Sequence, residues 1–115
     1  MINRKDKNIL TAIIEHCESV NAARARFGDS YDVFANDRDY FNSVCMALLQ
    51  IGELANRFTP EFCDAHDDIP LRQIIGLRNI IAHGYGILDT ESVWNTARDD
   101  IPKLFAQCEQ ISNEP

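Results

Sequence analysis

The sequence has no uninterrupted apolar run approaching the roughly 20 residues that a membrane-spanning helix needs, so no membrane association is expected. Its N-terminus, Met1-Ile2-Asn3-Arg4-Lys5-Asp6, enters charged, helix-like sequence without the apolar segment of a signal peptide, and a cytoplasmic location follows as an expectation. No Cys-x-x-Cys pair occurs. Cys17, Cys45, Cys63 and Cys108 are scattered, and three of them fall within apolar periodicity, which favours reduced packing residues over disulfides or zinc ligands. Positive charge is scarce as well, with 11 Lys and Arg against 18 Asp and Glu and a net charge of −7. A chain so acidic does not hold nucleic acid mainly through counterion release. Alternating strand patterns, internal repeats and low-complexity tracts are also missing.

What remains is helical periodicity. From Asn3 to Phe27 the residues Ile9, Leu10, Ile13, Ile14, Cys17, Val20, Ala23 and Phe27 mark one face of a long helix, with Gly28 at its stop. Tyr31 to Asn36 is expected to form a short helical turn or bend. Asp37 can cap a second long helix, whose seam is Phe41, Val44, Leu48, Ile51, Ala55 and Phe58. Thr59-Pro60 to Asp68 reads as a connector with a single turn, and Pro70 as the start of the next helix. Asp89 or Thr90 caps a final helix that buries Val93, Trp94, Ala97, Ile101, Leu104, Phe105, Cys108 and Ile111. Pro102 predicts a kink or break within it. The expected fold is all-α: a single domain over residues 1–115, built as an antiparallel bundle of four to five helices.

The chemistry concentrates in Arg78-Asn79-Ile80-Ile81-Ala82-His83-Gly84-Tyr85. Leu71, Ile74, Ile75, Arg78, Ile81 and Ala82 fall at helical spacing, so a guanidinium interrupts an apolar stripe and needs an anion, from the protein or from a ligand such as an RNA phosphate. Gly84 is expected to end this helix as a left-handed cap. Arg78 and His83 would then stand roughly 140° apart on the helix, while Asn79 and His83 share a face. Either the last turn distorts at Gly84, or Arg78 of one chain meets His83 of a symmetry mate, the arrangement favoured here. Upstream, Ile51-Gly52-Glu53 lies inside the second long helix. Gly52 either lets a neighbouring helix approach, with Glu53 solvated, or accompanies a Glu53 that turns inward to pair with Arg78. From Ile69 to Leu88 the chain has no acidic residue, although it contains Arg72, Arg78 and His83.

Arg78-x-x-x-x-His83-x-Tyr85, with Ile51-Gly52-Glu53 and Ile69-Pro70-Leu71-Arg72-Gln73-Ile74-Ile75-Gly76-Leu77 before it, closely resembles the HepT-like toxins of the HEPN superfamily. Leu71 departs from the Trp of many relatives, a difference that touches packing more than chemistry. The resemblance implies the toxin component of a type VII-like toxin-antitoxin system. It implies a metal-independent endoribonuclease without a cofactor, acting as a homodimer with Arg78 and His83 of both chains in a composite cleft. It further implies a nucleotidyltransferase antitoxin of the MntA type that attaches AMP to Tyr85. RNA would be the substrate, with no DNA expected.

RNA supplies its own nucleophile, the 2′-hydroxyl, so cleavage to a 2′,3′-cyclic phosphate needs a base, an acid and stabilisation of the phosphorane. His83 suits proton transfer near neutral pH, and Arg78 suits the developing phosphate charge. Asn79 is placed to orient His83 or hold a phosphate oxygen, and Glu53 to support Arg78. Two rivals stand beside this reading. One is a non-catalytic helical module that binds and positions a nucleotidyltransferase or its substrate, and the other is a metal-dependent hydrolase built on His66 with Asp64, Asp67 and Asp68.

Overall fold

The computed structural model describes residues 2–84 and 89–114, and among them the chain is helical, with no strand. Helix α1 (Arg4–Phe27) starts at Asn3, whose side chain accepts a hydrogen bond from the Asp6 N–H at 2.8 Å. It stops at Gly28, whose φ of 123° lies in the left-handed region that favours glycine. A two-turn α2 (Tyr31–Asn36) leads to Asp37, whose carboxylate caps α3 (Arg38–Ala55) by accepting from the N–H groups of Asp39 and Tyr40. Thr59 caps the short α4 (Pro60–Ala65), with Pro60 in the first turn, where its missing N–H costs nothing. Helix α5 (Leu71–Gly84) carries the motif. Asp89 caps α6 (Thr90–Asn95), which continues through a π segment, Thr96–Asp100, into α7 (Ile101–Ser112).

Apolar stripes decide how these helices pack. Helix α1 packs against both α3 and α7, and its buried Leu10, Ile13, Cys17 and Val20 share one core with Val44, Leu48 and Ile51 of α3 and Leu104, Cys108 and Ile111 of α7. Each fully buried aliphatic side chain of this kind contributes about 1.5 to 3 kcal/mol. At one end α2 and α6 close the core, where Phe34 is fully buried, edge-on to Tyr40 with ring centroids 5.0 Å apart and 5.2 Å from Trp94. At the other end Asp6 is buried and accepts from Thr59 N–H at 3.0 Å and from Thr59 Oγ1–H at 2.6 Å. One carboxylate therefore ties the start of α1 to the start of α4, a contact hidden in the sequence among charged residues that look solvated.

One local expectation is corrected: Gly84, expected as a left-handed cap just past α5, is itself helical and the last residue of that helix, and Gly28 is the positive-φ glycine among the described residues. The disturbance expected near Pro102 is present, just before it. The proline ring crowds the carbonyl four residues back, and the backbone relieves this by widening over Thr96–Asp100, where the Ile101 N–H reaches the Thr96 carbonyl. The kink or break expected in the last helix thus takes the form of a π turn that joins α6 to α7.

Candidate active site

Helix α5 is held differently from the others. It packs almost entirely on α3, and only Ile81 is buried; Leu71, Ile74, Ile75 and Leu77 are half-buried and Ile80 is 58% exposed. The close approach of α3 and α5 occurs at Gly52. A Cβ built on Gly52 would stand 2.1 Å from Arg78 Cβ and 2.8 Å from its Cγ, so only glycine admits the stem of Arg78 at this crossing.

The next residue supplies the anion. Glu53 Oε1 accepts from both Nε and Nη2 of Arg78. Both alternatives raised by Ile51-Gly52-Glu53 thus hold in part, since Gly52 lets the helix approach and Glu53 pairs with the arginine brought near. On its other side Arg78 Nη1 donates to Asn79 Oδ1 at 2.7 Å. A guanidinium has five N–H donors. With three committed here, one N–H on each terminal nitrogen is left, and the two side chains of the ion pair are about a third exposed, at 30% and 36%. That outer edge has the fork geometry that suits two oxygens of one phosphate.

His83 is exposed in the last turn of α5, four residues from Asn79 and on the same face. With α5 helical to Gly84, helical spacing leaves His83 roughly 140° around the axis from Arg78 of the same chain. Asn79 spends its carbonyl on Arg78, which leaves its amide hydrogens for a ligand. Tyr85, with Gly86, Ile87 and Leu88, lies outside the described residues.

A family model described as Ribonuclease HepT-like matches residues 11–111. The chain belongs to the HepT-like ribonuclease family. A Thermococcus cleftensis protein that carries the graded name of a probable ribonuclease HepT is 27% identical over 110 residues, covering 96% of this chain and 98% of that one. A Methanocaldococcus jannaschii protein provisionally named an RNase is 30% identical over 81 residues, 70% of this chain and 74% of the relative. A further relative with a provisional RNase name, from Caldanaerobacter subterraneus, is 28% identical over 102 residues, 89% of each chain. No solved structure matches the chain.

In this HepT-like chain Asn79, Ile80, Ala82 and His83 of the motif are exposed on the face of α5. A cavity of about 570 Å³ lies elsewhere, lined by Asp6, Thr59, Phe62, His66 and Ile111 among others and by no residue of α5. His66 is packed against Phe62, with ring centroids 4.5 Å apart, and among the described residues no three His, Cys, Asp or Glu side chains come together as a metal-binding group. Nothing thus gathers His66 and its neighbouring aspartates into a ligand set. The thiols are no better placed for chemistry, since burial pushes Cys17 and Cys108 up to about 12 and Cys45 up to about 11. No described helix is long and apolar enough to cross a membrane.

Proposed function

We propose that this HepT-like ribonuclease is a toxin that cleaves RNA without a metal ion, using Arg78 and His83 from both subunits of a homodimer. The observation that carries the reading is the held guanidinium: Glu53 and Asn79 engage Arg78 on a half-exposed helix and leave two of its N–H donors unused among the described residues. Met46 and Leu49 of α3 and Ile75 and Ala82 of α5 flank that pair by helical spacing, and Met46 is 57% exposed. They give the subunits an apolar contact around the site, across which Arg78 of one chain meets the partner's His83.

In the reaction, one His83 takes the proton of a ribose 2′-hydroxyl as its oxygen bonds to the adjacent phosphorus. Arg78 stabilises the negative charge that builds on the phosphorane oxygens. The bond from phosphorus to the 5′-oxygen breaks, the partner's His83 protonates the departing oxygen, and a 2′,3′-cyclic phosphate remains. Asn79 directs its free amide at a phosphate oxygen or at His83, four residues on. Silencing comes from an MntA-type nucleotidyltransferase antitoxin that transfers AMP to Tyr85. The added anion would occupy the approach of RNA phosphate and exclude it by volume and like charge.

The test uses purified protein freed of any partner and shown by intact mass to carry no AMP. It is incubated with a mixed RNA pool in chelator, beside His83→Ala. Cleavage by wild type alone, with cyclic phosphate ends, is expected. An unmodified, folded dimer that leaves the RNA intact would instead be a module that binds and positions a nucleotidyltransferase or its substrate.

A further inference from the structure

Resting on the ribonuclease reading, we propose that Arg72 and the bare backbone at Gly76 form a second contact for single-stranded RNA. It would hold a phosphate upstream or downstream of the one at Arg78 and His83.

Arg72, Gly76, Asn79 and His83 follow one another by four, three and four residues, so they form a single stripe along α5. Arg72, Asn79 and His83 are exposed. Gly76 is the telling position. An interior helix glycine costs about 1 kcal/mol relative to Ala. At Gly52 that cost admits Arg78, but a Cβ built on Gly76 would meet nothing within 4 Å. No contact with a described residue of this subunit needs the missing side chain, so the open space is assigned to something outside it.

Arg72 is equally unexplained by the fold. A cation in the first turn of a helix opposes the macrodipole. Arg72 forms no ion pair with a described residue, although Asp67 and Asp68 border the same shallow depression. It also lies in the stretch from Ile69 to Leu88 that contains no acid, in a chain whose net charge is −7. Charge complementarity therefore selects a polyanion. The four stripe residues themselves carry no apolar side chain, although Ile80, 58% exposed, borders Gly76 and His83 on one flank as Ile75 borders Asn79 on the other, so it is the charge of Arg72 that selects the occupant.

The dimensions fit a strand. At about 1.5 Å per residue, Arg72 lies roughly 16 Å along the axis from His83. A stacked strand advancing about 3.4 Å per nucleotide covers that in on the order of five nucleotides, and an extended one in fewer.

Binding of a labelled, mixed-sequence single-stranded RNA by the dimer, in a His83→Ala background that prevents cleavage, tests this across a salt series. Arg72→Ala should weaken binding about 10-fold and reduce the slope of log affinity on log salt by about 0.7, the share of one phosphate contact. Arg72→Lys should keep the slope. Gly76→Leu should also weaken binding while melting no lower than the parent. With His83 intact, a dinucleotide too short to reach Arg72 should be cleaved equally by wild type and Arg72→Ala. An unchanged salt slope in Arg72→Ala overturns the inference, as does dissociation of the Arg72→Ala or Gly76→Leu dimer in sedimentation, which would assign the stripe to the second subunit. Arg72-dependent binding by a wild-type protein that never cleaves would instead sink the ribonuclease reading and leave the RNA contact standing.

Discussion

Arg78 shows how one residue is made usable. A guanidinium on an apolar stripe keeps many rotamers unless its donors are engaged, and here Glu53 grips one side and Asn79 the other. The need for an anion was readable from the apolar residues around Arg78, and Glu53 only as one of two readings of Ile51-Gly52-Glu53, solvated or turned inward. The hydrogen bond from Arg78 to Asn79 was not, because adjacent helical residues point roughly 100° apart and only the bent guanidinium closes the gap. Glu53→Gln separates charge from shape. Its stability loss should stay within about 1 kcal/mol in urea unfolding, since both partners are about a third exposed and solvent screens the pair. Its kcat for RNA should fall about 10- to 100-fold, because the outward donors lose their fixed aim. KM should change little, as the positive charge is retained. An unaltered kcat would mean that Asn79 alone positions the guanidinium.

At the scale of the element, Gly76 within α5 and Gly52 facing it have opposite physical meaning, which makes a paired prediction possible. Gly52→Ala puts a methyl into the stem of Arg78, which cannot rotate away as a side-chain tip could, so α5 must move off α3. A loss of about 1 to 3 kcal/mol is expected, with RNA cleavage reduced in parallel. Gly76→Ala meets open space and removes a helix-weakening residue, so it should raise stability by about 0.5 to 1 kcal/mol. Thermal unfolding of both variants checks the contrast, and a stabilised Gly52→Ala would show that the crossing is looser than its geometry implies. Helix beginnings were legible where one side chain does the capping locally, as at Asp37 and Asp89. The end of α5 was legible to within a residue, but Gly84 is itself helical and not a left-handed cap, since glycine permits that cap without requiring it. Pro102 announced the disturbance in the last helix, but not that it would take the form of a π turn.

Across the whole molecule, rigidity and chemistry are divided. The deep core belongs to α1, α3 and α7, while α5 leans on α3 at the periphery of a body measuring 44 × 28 × 19 Å and leaves its motif face open. Periodicity revealed the core because burial repeats with the helix. It did not reveal the tie between Asp6 and Thr59, whose 53-residue separation leaves no local pattern. The same core fixes how stability responds to alkali. Cys17 and Cys108 are held up to about 12 and Cys45 up to about 11, chiefly because burial disfavours their thiolates, whereas an ordinary thiol here titrates near 9.0. Above pH 9.0 the unfolded chain releases protons that the folded chain keeps, so the native state binds more protons and stability falls as pH rises toward the folded values. Each such thiol contributes a slope of about 1.4 kcal/mol per pH unit in that window and none well below it. Tyr40, also raised by burial, adds to the same trend. Urea midpoints should therefore hold steady from about pH 7 to about pH 8 and drop steeply by about pH 11, and Cys17→Ala, though weaker at neutral pH, should show a shallower fall. A slope unchanged by removing Cys17 would mean that its thiol ionises in the folded protein as readily as in the unfolded chain, and that the core around it admits water.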